Sequence, residues 1–239
     1  MLPNGARDRR LRWEGCVNVR DLGGHKTADG HFTRRGAVVR SDTPDQLTAK
    51  GWQALHEHGI RTVVDLRDGS ELGVAPPGVE VESVHIPVLD FEDAGFWAGL
   101  AESYDPASFY RSALDRWPDR FSAAVAAVAR ARPGGVLVHC QFGRDRTGLV
   151  IALLLALVNV PADMIAEDYA LSAQMLEPLY EEELRAVEDG GLKEQLQREN
   201  ATEATAMLEV LDGMDAAGYL IGGGATEEDL QAIRDRLLD

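Results

Sequence analysis

The sequence is poor in cysteine and in long apolar runs. Cys16 and Cys140 are the two cysteines in 239 residues, too few for the disulfide framework of a small secreted domain. A Cys16–Cys140 pair acting as a redox guard is the alternative, and the wide spacing does not favour it. The longest apolar run, Leu149 to Val158, is far shorter than the ~20 residues of a membrane span. The segment "MLPNGARDRR" lacks the apolar core of a secretory signal. We therefore expect a cytoplasmic protein without a membrane span, with unconventional secretion as the alternative.

Positive charge is also scarce. The chain has 24 lysines and arginines against 40 acidic residues, a net charge of −16. Such a surface repels nucleic acid and anionic lipid at long range, so we predict no nucleic-acid partner. An anionic substrate must then be attracted locally, by a pocket richer in arginine than the whole. The sequence contains no zinc-type cluster and no GxxxxGK[ST] nucleotide loop. We predict no metal and no cofactor.

Strands alternate with helices along the chain, and the length suits one domain over 1–239. We predict an α/β fold: a mostly parallel central sheet flanked by helices, with a helical C-terminal third. The signals for individual elements are a hairpin turning at Asp29-Gly30, a helix from Thr43-Pro44 to Gly59, an irregular aromatic stretch from Asp90 to Tyr110, and a strand "GGVLVHC" before a helix "RTGLVIALLLALV".

The chemistry concentrates where that last strand meets its helix, in "HCQFGRDRTG". Amide groups at a helix N-terminus can converge on an anion, and Gly143 allows the chain to turn sharply. Arg146 offers a planar fork for two phosphoryl oxygens. Cys140 lies at the base of this cradle, where its thiol should ionise more readily than in free cysteine. His139 can brace the loop, and Thr147 can donate its hydroxyl to the thiolate.

The spacing Cys140–x5–Arg146 resembles the CX5R phosphate loop of cysteine-dependent phosphatases, and the wider string is similar to the "HCxxGKDRTG" loop of the atypical bacterial tyrosine and lipid phosphatases. The segments "NVRDLGG", "VVRSD", "GIRTVVDLRDGSE" and "AGYLIGGGATEEDLQAIRDRLL" also look like that family. The resemblance implies that phosphate is bound by Gln141, Phe142, Gly143, Arg144, Asp145, Arg146 and Thr147. Arg144 stands where many members have lysine, and it replaces a flexible point charge with a planar one.

The leaving oxygen needs a proton from a carboxylic acid. Asp119, in "RWPDRFS", is less suited because proline and aspartate are common in a first helical turn. Asp145 stands at the rim of the loop, and the resemblance implies the acid role for it; a salt bridge to Arg144 is the alternative interpretation. Asp65 is the second candidate, because it ends a strand that should point to the same face. Asp90 and Asp93 are the remaining ones.

The sequence thus predicts a metal-independent phosphomonoesterase that forms a cysteinyl-phosphate intermediate. Its substrate would be a phosphorylated protein, whether at tyrosine or with dual specificity, or a phosphoinositide. An inactive phosphate-binding module and a rhodanese-like sulfur transferase are the alternatives. The resemblance further implies a helical lid at about 161–205, although ordinary helical packing would explain the same pattern.

Overall fold

A five-stranded sheet forms the centre of the protein. The computed structural model describes residues 9–71, 80–101, 105–184 and 204–239, without the side chains of residues 101 and 180–184. The strands are β1 (Arg20–Asp21), β2 (Val38–Ser41), β3 (Ile60–Asp65), β4 (Glu82–His85) and β5 (Gly135–His139). Their order is β1-β2-β5-β3-β4, with β1 antiparallel to β2 and every other neighbouring pair parallel. The predicted mostly parallel sheet is confirmed.

Helices cover both faces of this sheet. They are α1 (Ala49–Glu57), α2 (Ala94–Ala101), α3 (Pro106–Arg116), α4 (Pro118–Arg130), α5 (Asp145–Leu157), α6 (Ala162–Leu184), α7 (204–211), α8 (Ala216–Gly222) and α9 (Glu227–Leu237). The described part of the C-terminal third is therefore helical, as predicted. The single domain and the lid at about 161–205 stay predictions, since 185–203 lies outside the described residues.

The core explains why the loop after β5 is held firmly. All residues of β5 are buried, with Leu137 facing the smaller apolar core and Val136 and Val138 facing the larger one, because successive side chains of a strand alternate between faces. Ten of the thirteen residues of α5 are buried. Each buried leucine contributes about 1.5–3 kcal/mol. The β5–α5 connection is thus anchored at both ends in the core.

The predicted helix from Thr43-Pro44 is wrong at its start. A short 3₁₀ turn, Pro44–Gln46, comes first, and Leu47 is extended with its side chain in the smaller core. Thr48 then caps α1 by accepting a hydrogen bond from the Gly51 amide. Burial of Leu47 and the second cap divide the segment into two elements, which the helical pattern alone did not reveal.

The stretch from Asp90 to Tyr110 is also more regular than predicted, because it contains α2 and the start of α3. Asp105 caps α3 and Pro106 opens it. Ring packing stabilises these helices: Phe96 lies 4.4 Å from Trp117 and 5.0 Å from Trp97, between ring centroids. The predicted turn at Asp29-Gly30 is present, flanked by an isolated bridge between Lys26 and Phe32 rather than by strands.

Candidate active site

The loop between β5 and α5 lies at the carboxyl edge of the parallel strands, where α/β proteins bind ligands. Cys140 follows β5 directly and is only 3% exposed. Gly143 makes the loop's turn with φ +65°, and a Cβ at that position would lie 2.2 Å from the carbonyl oxygen of Ser41. Only glycine avoids both the left-handed strain and the contact with this backbone.

The carbonyl groups of the loop point away from its centre. Four successive carbonyls accept hydrogen bonds: Cys140 from His139 Nδ1 (3.1 Å), Gln141 from the Thr43 amide (3.0 Å), Phe142 from Asn18 Nδ2 (2.8 Å) and Gly143 from Arg40 Nη2 (2.8 Å). Within the described ranges, the amides of residues 141–143 and 145–147 donate to no acceptor. Unpaired amides beside a helix N-terminus provide an anion-binding cradle.

Arg40 connects this loop to α6. Its guanidinium is 1% exposed and donates from Nη1 to Asp168 Oδ2 at 2.9 Å. Asp168, on α6, also accepts from Arg9 and Arg20. Although burial would raise the pKa of Asp168, Arg20 and Arg40 hold it well below its usual range. A buried, ionised carboxylate thus orients the arginine that holds the Gly143 carbonyl outward.

Arg146 is held by a carboxylate that sequence reasoning missed. Both Nη groups of Arg146 donate to Glu71, with Nη2 to Oε1 at 2.8 Å, and the Phe91 ring centroid lies 5.4 Å from Cζ. The Glu71 pair raises the pKa of Arg146 against the opposing effect of burial. For Glu71, burial acts to raise the pKa, and the Arg146 bonds bring it below the usual value. Guanidinium has five N–H donors, so donors remain for a phosphate.

Asp145 opens α5 and is held by two tyrosines. The hydroxyls of Tyr110 and Tyr169 each donate to Asp145 Oδ1 at 3.0 Å, and Arg144 Nε lies 3.3 Å from both carboxylate oxygens. A Cβ at Gly148 would lie 2.5 Å from the Tyr169 ring, so this glycine allows the ring to approach α5. The Asp145 side chain is still 31% exposed, which fits a carboxylate that is positioned yet reachable by substrate.

Asp65 lies at the end of β3 beside the loop, but its carboxylate is already engaged. Arg67 donates to it through Nη2 at 2.8 Å and Nε at 3.0 Å, and His139 Nε2 lies 3.6 Å away. Burial would raise the pKa of Asp65, yet Arg67 and His139 lower it. Burial lowers the pKa of His139 despite Asp65. This geometry favours an ionised, supporting carboxylate and a neutral imidazole that donates to Cys140 O.

The remaining candidates lie in varied surroundings. The hydroxyl of Thr147 is buried and has no hydrogen-bond partner in the described residues, so the expected bond to the thiol is not formed here. Phe142, at the rim, is 45% exposed. Asp90 pairs with Arg120 and Asp93 with Arg116. Asp119 lies in the first turn of α4.

The two thiols are both free. Cys16 donates from Sγ to the Thr43 carbonyl at 3.3 Å, and burial, with Asp42 next in effect, raises its pKa. The described ranges contain no group of three or more acidic, histidine or cysteine side chains arranged for a metal ion. Among the helices described, none is long and apolar enough to cross a bilayer.

Comparison with known proteins shows the family to which the chain is similar. A family model described as the tyrosine phosphatase family matches residues 11–239. A Cupriavidus necator protein that carries a tyrosine-phosphatase name is 33% identical over 69% of this chain and 63% of its own length. The chain therefore spans less than two thirds of that relative. A tyrosine-protein phosphatase of Nostoc commune is 29% identical over 84% of this chain and 74% of its own. The triple specificity protein phosphatase PtpB of Mycobacterium tuberculosis is 31% identical over 66% of this chain and 67% of its own length.

Proposed function

Because the chain belongs to the tyrosine phosphatase family, we propose that it hydrolyses phosphomonoesters through a cysteinyl-phosphate intermediate on Cys140. One observation carries this proposal: a buried thiol lies at the base of a loop whose carbonyls are bound from outside while its amides are unpaired. Such a loop favours an anion and the thiolate alike. Arg146, fixed by Glu71, adds a cation at the same end of α5.

In the first step, the Cys140 thiolate attacks phosphorus. An S–P bond forms while the P–O bond to the leaving group breaks, and the leaving oxygen takes the proton of the Asp145 carboxylic acid. The loop amides and Arg146 stabilise the charge on the equatorial oxygens. In the second step, water attacks phosphorus, the S–P bond breaks, and the Asp145 carboxylate accepts the water's proton. Inorganic phosphate leaves and the thiolate is restored.

Asp145 and Asp65 were the two leading candidates for the acid among five, and the surroundings support Asp145 over Asp65. Both carboxylates accept from a guanidinium, Asp145 from Arg144 Nε at 3.3 Å and Asp65 from Arg67 Nη2 at 2.8 Å. They differ in exposure, because the Asp145 side chain is 31% exposed and can meet a leaving group, whereas the Asp65 side chain is 9% exposed. Burial would raise the pKa of Asp65, but Arg67 and His139 bring it below its usual value, so we assign to Asp65 the orientation of Arg67 and His139.

The substrate in this proposal is a phosphorylated protein, at tyrosine or with dual specificity, or a phosphoinositide. The cradle binds the phosphoryl group, which these substrates share. A panel of phosphotyrosine, phosphoserine and phosphothreonine peptides and phosphoinositides in mixed micelles would rank them by kcat/KM.

The test of the mechanism uses a small aryl phosphate with a chelator present. We expect the wild type to hydrolyse it and Cys140→Ser to lose at least about 10³-fold in kcat. Mass spectrometry of rapidly quenched wild type should detect phosphate on Cys140. Hydrolysis that survives in Cys140→Ser would overturn the mechanism. Phosphate binding without hydrolysis would instead indicate the inactive binding module.

The acid is tested by leaving-group dependence and pH. With Asp145→Asn, kcat should fall about 10²–10³-fold for a poor leaving group such as phenol and much less for a good one, and the alkaline limb of the pH profile should flatten. Asp212→Asn, the same change at an exposed site, is the control. If Asp65→Asn rather than Asp145→Asn flattens that limb, the assignment of the acid is wrong.

A further inference from the structure

The sheet ends in a strand without a second neighbour. β4 pairs with β3 on one side only, and no strand of the described ranges pairs with its other side. The Ile86 amide, just after β4, donates to Asp65 O at 2.8 Å. Because backbone groups alternate in direction along a strand, the amides and carbonyls of Ser83 and His85 face outward. They present an edge to which an extended peptide can add.

A groove follows this edge, between β4 and α4. One part, of about 410 Å³, includes Glu82, Val84, Ile86 and small residues of α4 in its lining. A second part, of about 760 Å³, is lined by Asp68, Gly69, Ser70 and Asp90 among others. Both parts include Ile86, Asp119 and Ala123 in their lining, so they form one continuous channel, which we name the edge groove.

The edge groove leads to the candidate active site. Its second part is lined by Gly69 and Ser70, which belong to the 3₁₀ turn Gly69–Glu71. The last residue of this turn, Glu71, is the partner of Arg146. A chain with its phosphorylated residue in the cradle could therefore continue directly into the groove. At about 3.3 Å per residue, an extended segment of five residues would cover β4.

The charges of the edge groove are opposite to those of the cradle. Its lining carries five carboxylates, Asp68, Glu82, Asp90, Glu92 and Asp119, against two guanidiniums, Arg120 and Arg130. Both guanidiniums are already paired, with Asp90 and Asp229. Glu82, Glu92 and Asp119 form no ion pair within the described ranges. Charge complementarity therefore favours a cationic occupant.

We infer that the edge groove binds the extended segment flanking the phosphorylated residue of a protein substrate, and that this segment carries arginine or lysine. The segment adds as a strand to β4. The inference rests on the proposed function and deepens it, because it selects phosphoproteins with basic flanks. An anionic phosphoinositide surface would instead be repelled by the five carboxylates.

The experiment compares phosphotyrosine peptides that carry three arginines, three alanines or three glutamates beside the phosphotyrosine. Each peptide is made in two forms, with the three residues either before or after the phosphotyrosine. On one of the two sides, we expect kcat/KM to be about tenfold higher for the arginine peptide than for the alanine peptide. Two or three solvent-screened ion pairs together account for a difference of about this size. In Glu82→Lys/Glu92→Lys the arginine peptide should lose this advantage. Glu57→Lys, on the opposite face of the sheet, is the matched control and should keep it.

Hydrogen exchange distinguishes strand addition from a diffuse charge effect. With the arginine peptide bound to Cys140→Ser, the amides of Ser83 and His85 should exchange at least tenfold more slowly, because they become hydrogen-bonded. Unchanged exchange there would overturn strand addition, and equal kcat/KM for all peptides would overturn the basic preference. A preference for glutamate or for phosphoinositide micelles would likewise overturn the basic preference.

Failure of the inference and failure of the proposed function give different results. A small aryl phosphate does not reach the edge groove, so its hydrolysis with loss in Cys140→Ser tests only the mechanism. If that hydrolysis is present and the peptides are not distinguished, the inference alone fails. If hydrolysis is absent, affinities of the same peptides for the wild type still test the groove by direct binding.

Discussion

The bidentate contact between Glu71 and Arg146 should set the turnover rate, and Glu71→Gln and Glu71→Ala test it. The Arg146 side chain is 11% exposed and the Glu71 side chain 20% exposed, so water screens the pair only in part. Glutamine keeps one hydrogen bond and loses the charge. Alanine releases the guanidinium from its carboxylate partner, while the Phe91 ring centroid still lies 5.4 Å from Cζ.

The expected loss in kcat follows from the displacement of the Arg146 guanidinium rather than from the strength of its attraction to Glu71. A misplacement of about 1 Å in a phosphate-binding group can cost about 10²-fold in rate. We therefore expect kcat to fall about 10²-fold in Glu71→Ala, equivalent to about 2.7 kcal/mol, and about tenfold in Glu71→Gln. The same changes remove an anion beside the phosphate. Since the carboxylate repels the substrate dianion, KM should stay level or fall, so the loss is in kcat.

Steady-state kinetics on an aryl phosphate would measure this split, with Glu57→Gln as a control for loss of a carboxylate on the other face of the sheet. Urea unfolding of each variant separates misfolding from misplacement. Glutamine or alanine variants that fold normally and turn over within twofold of the wild type would refute a positioning role for Glu71. A rise in KM at constant kcat would refute it as well.

Two further predictions concern the loop and the buried arginine cluster. Gly143→Ala should abolish turnover, because its Cβ would meet the Ser41 carbonyl. Gly213→Ala is the control, since Gly213 has a similar φ of +67° with open space around it. This control should lose only about 1–2 kcal/mol of unfolding free energy and keep its turnover. If both variants behave alike in kinetics and urea unfolding, backbone contact at Gly143 is not the cause. Burial, with Asp168 opposing it and nearby arginines adding to it, lowers the pKa of His25 from 6.5 to about 4. As the pH falls below about 6.5, His25 binds a proton in the unfolded chain but stays neutral in the folded protein. The free energy of unfolding should therefore drop by up to about 3 kcal/mol by about pH 4. His25→Gln should remove this part of the slope, whereas an unchanged slope would contradict the argument.

Sequence reasoning predicted the β-strand, loop and helix around Cys140 because their signals are local. A buried strand, a glycine at the turn and an apolar helix specify their conformations within about twenty residues. It was wrong at Leu47 and from Asp90 to Tyr110, because packing against distant rings and strands sets those segments. Helix propensity and spacing carry little information about such contacts.

The site shows the same division. Cys140, Arg146 and Asp145 lie on one short motif, and their proximity follows from chain connectivity. Glu71 and Tyr169 were not predicted, although Glu71 lies in "DLRDGSE", a segment that resembled the family. Nothing local marks a glutamate 75 residues before Arg146 as its partner. The fold alone brings the end of β3 beside the start of α5.

The sequence by itself determined which residues could form a phosphate cradle, since a loop of fixed length needs only its own backbone and a helix to follow it. The tertiary structure decided which way that loop faces. Asn18, Arg40 and Thr43 arrive from other strands and turns to bind its carbonyls, and this leaves the amides for an anion. Such bonds join residues that are distant in the chain, so they exist only after the sheet has formed.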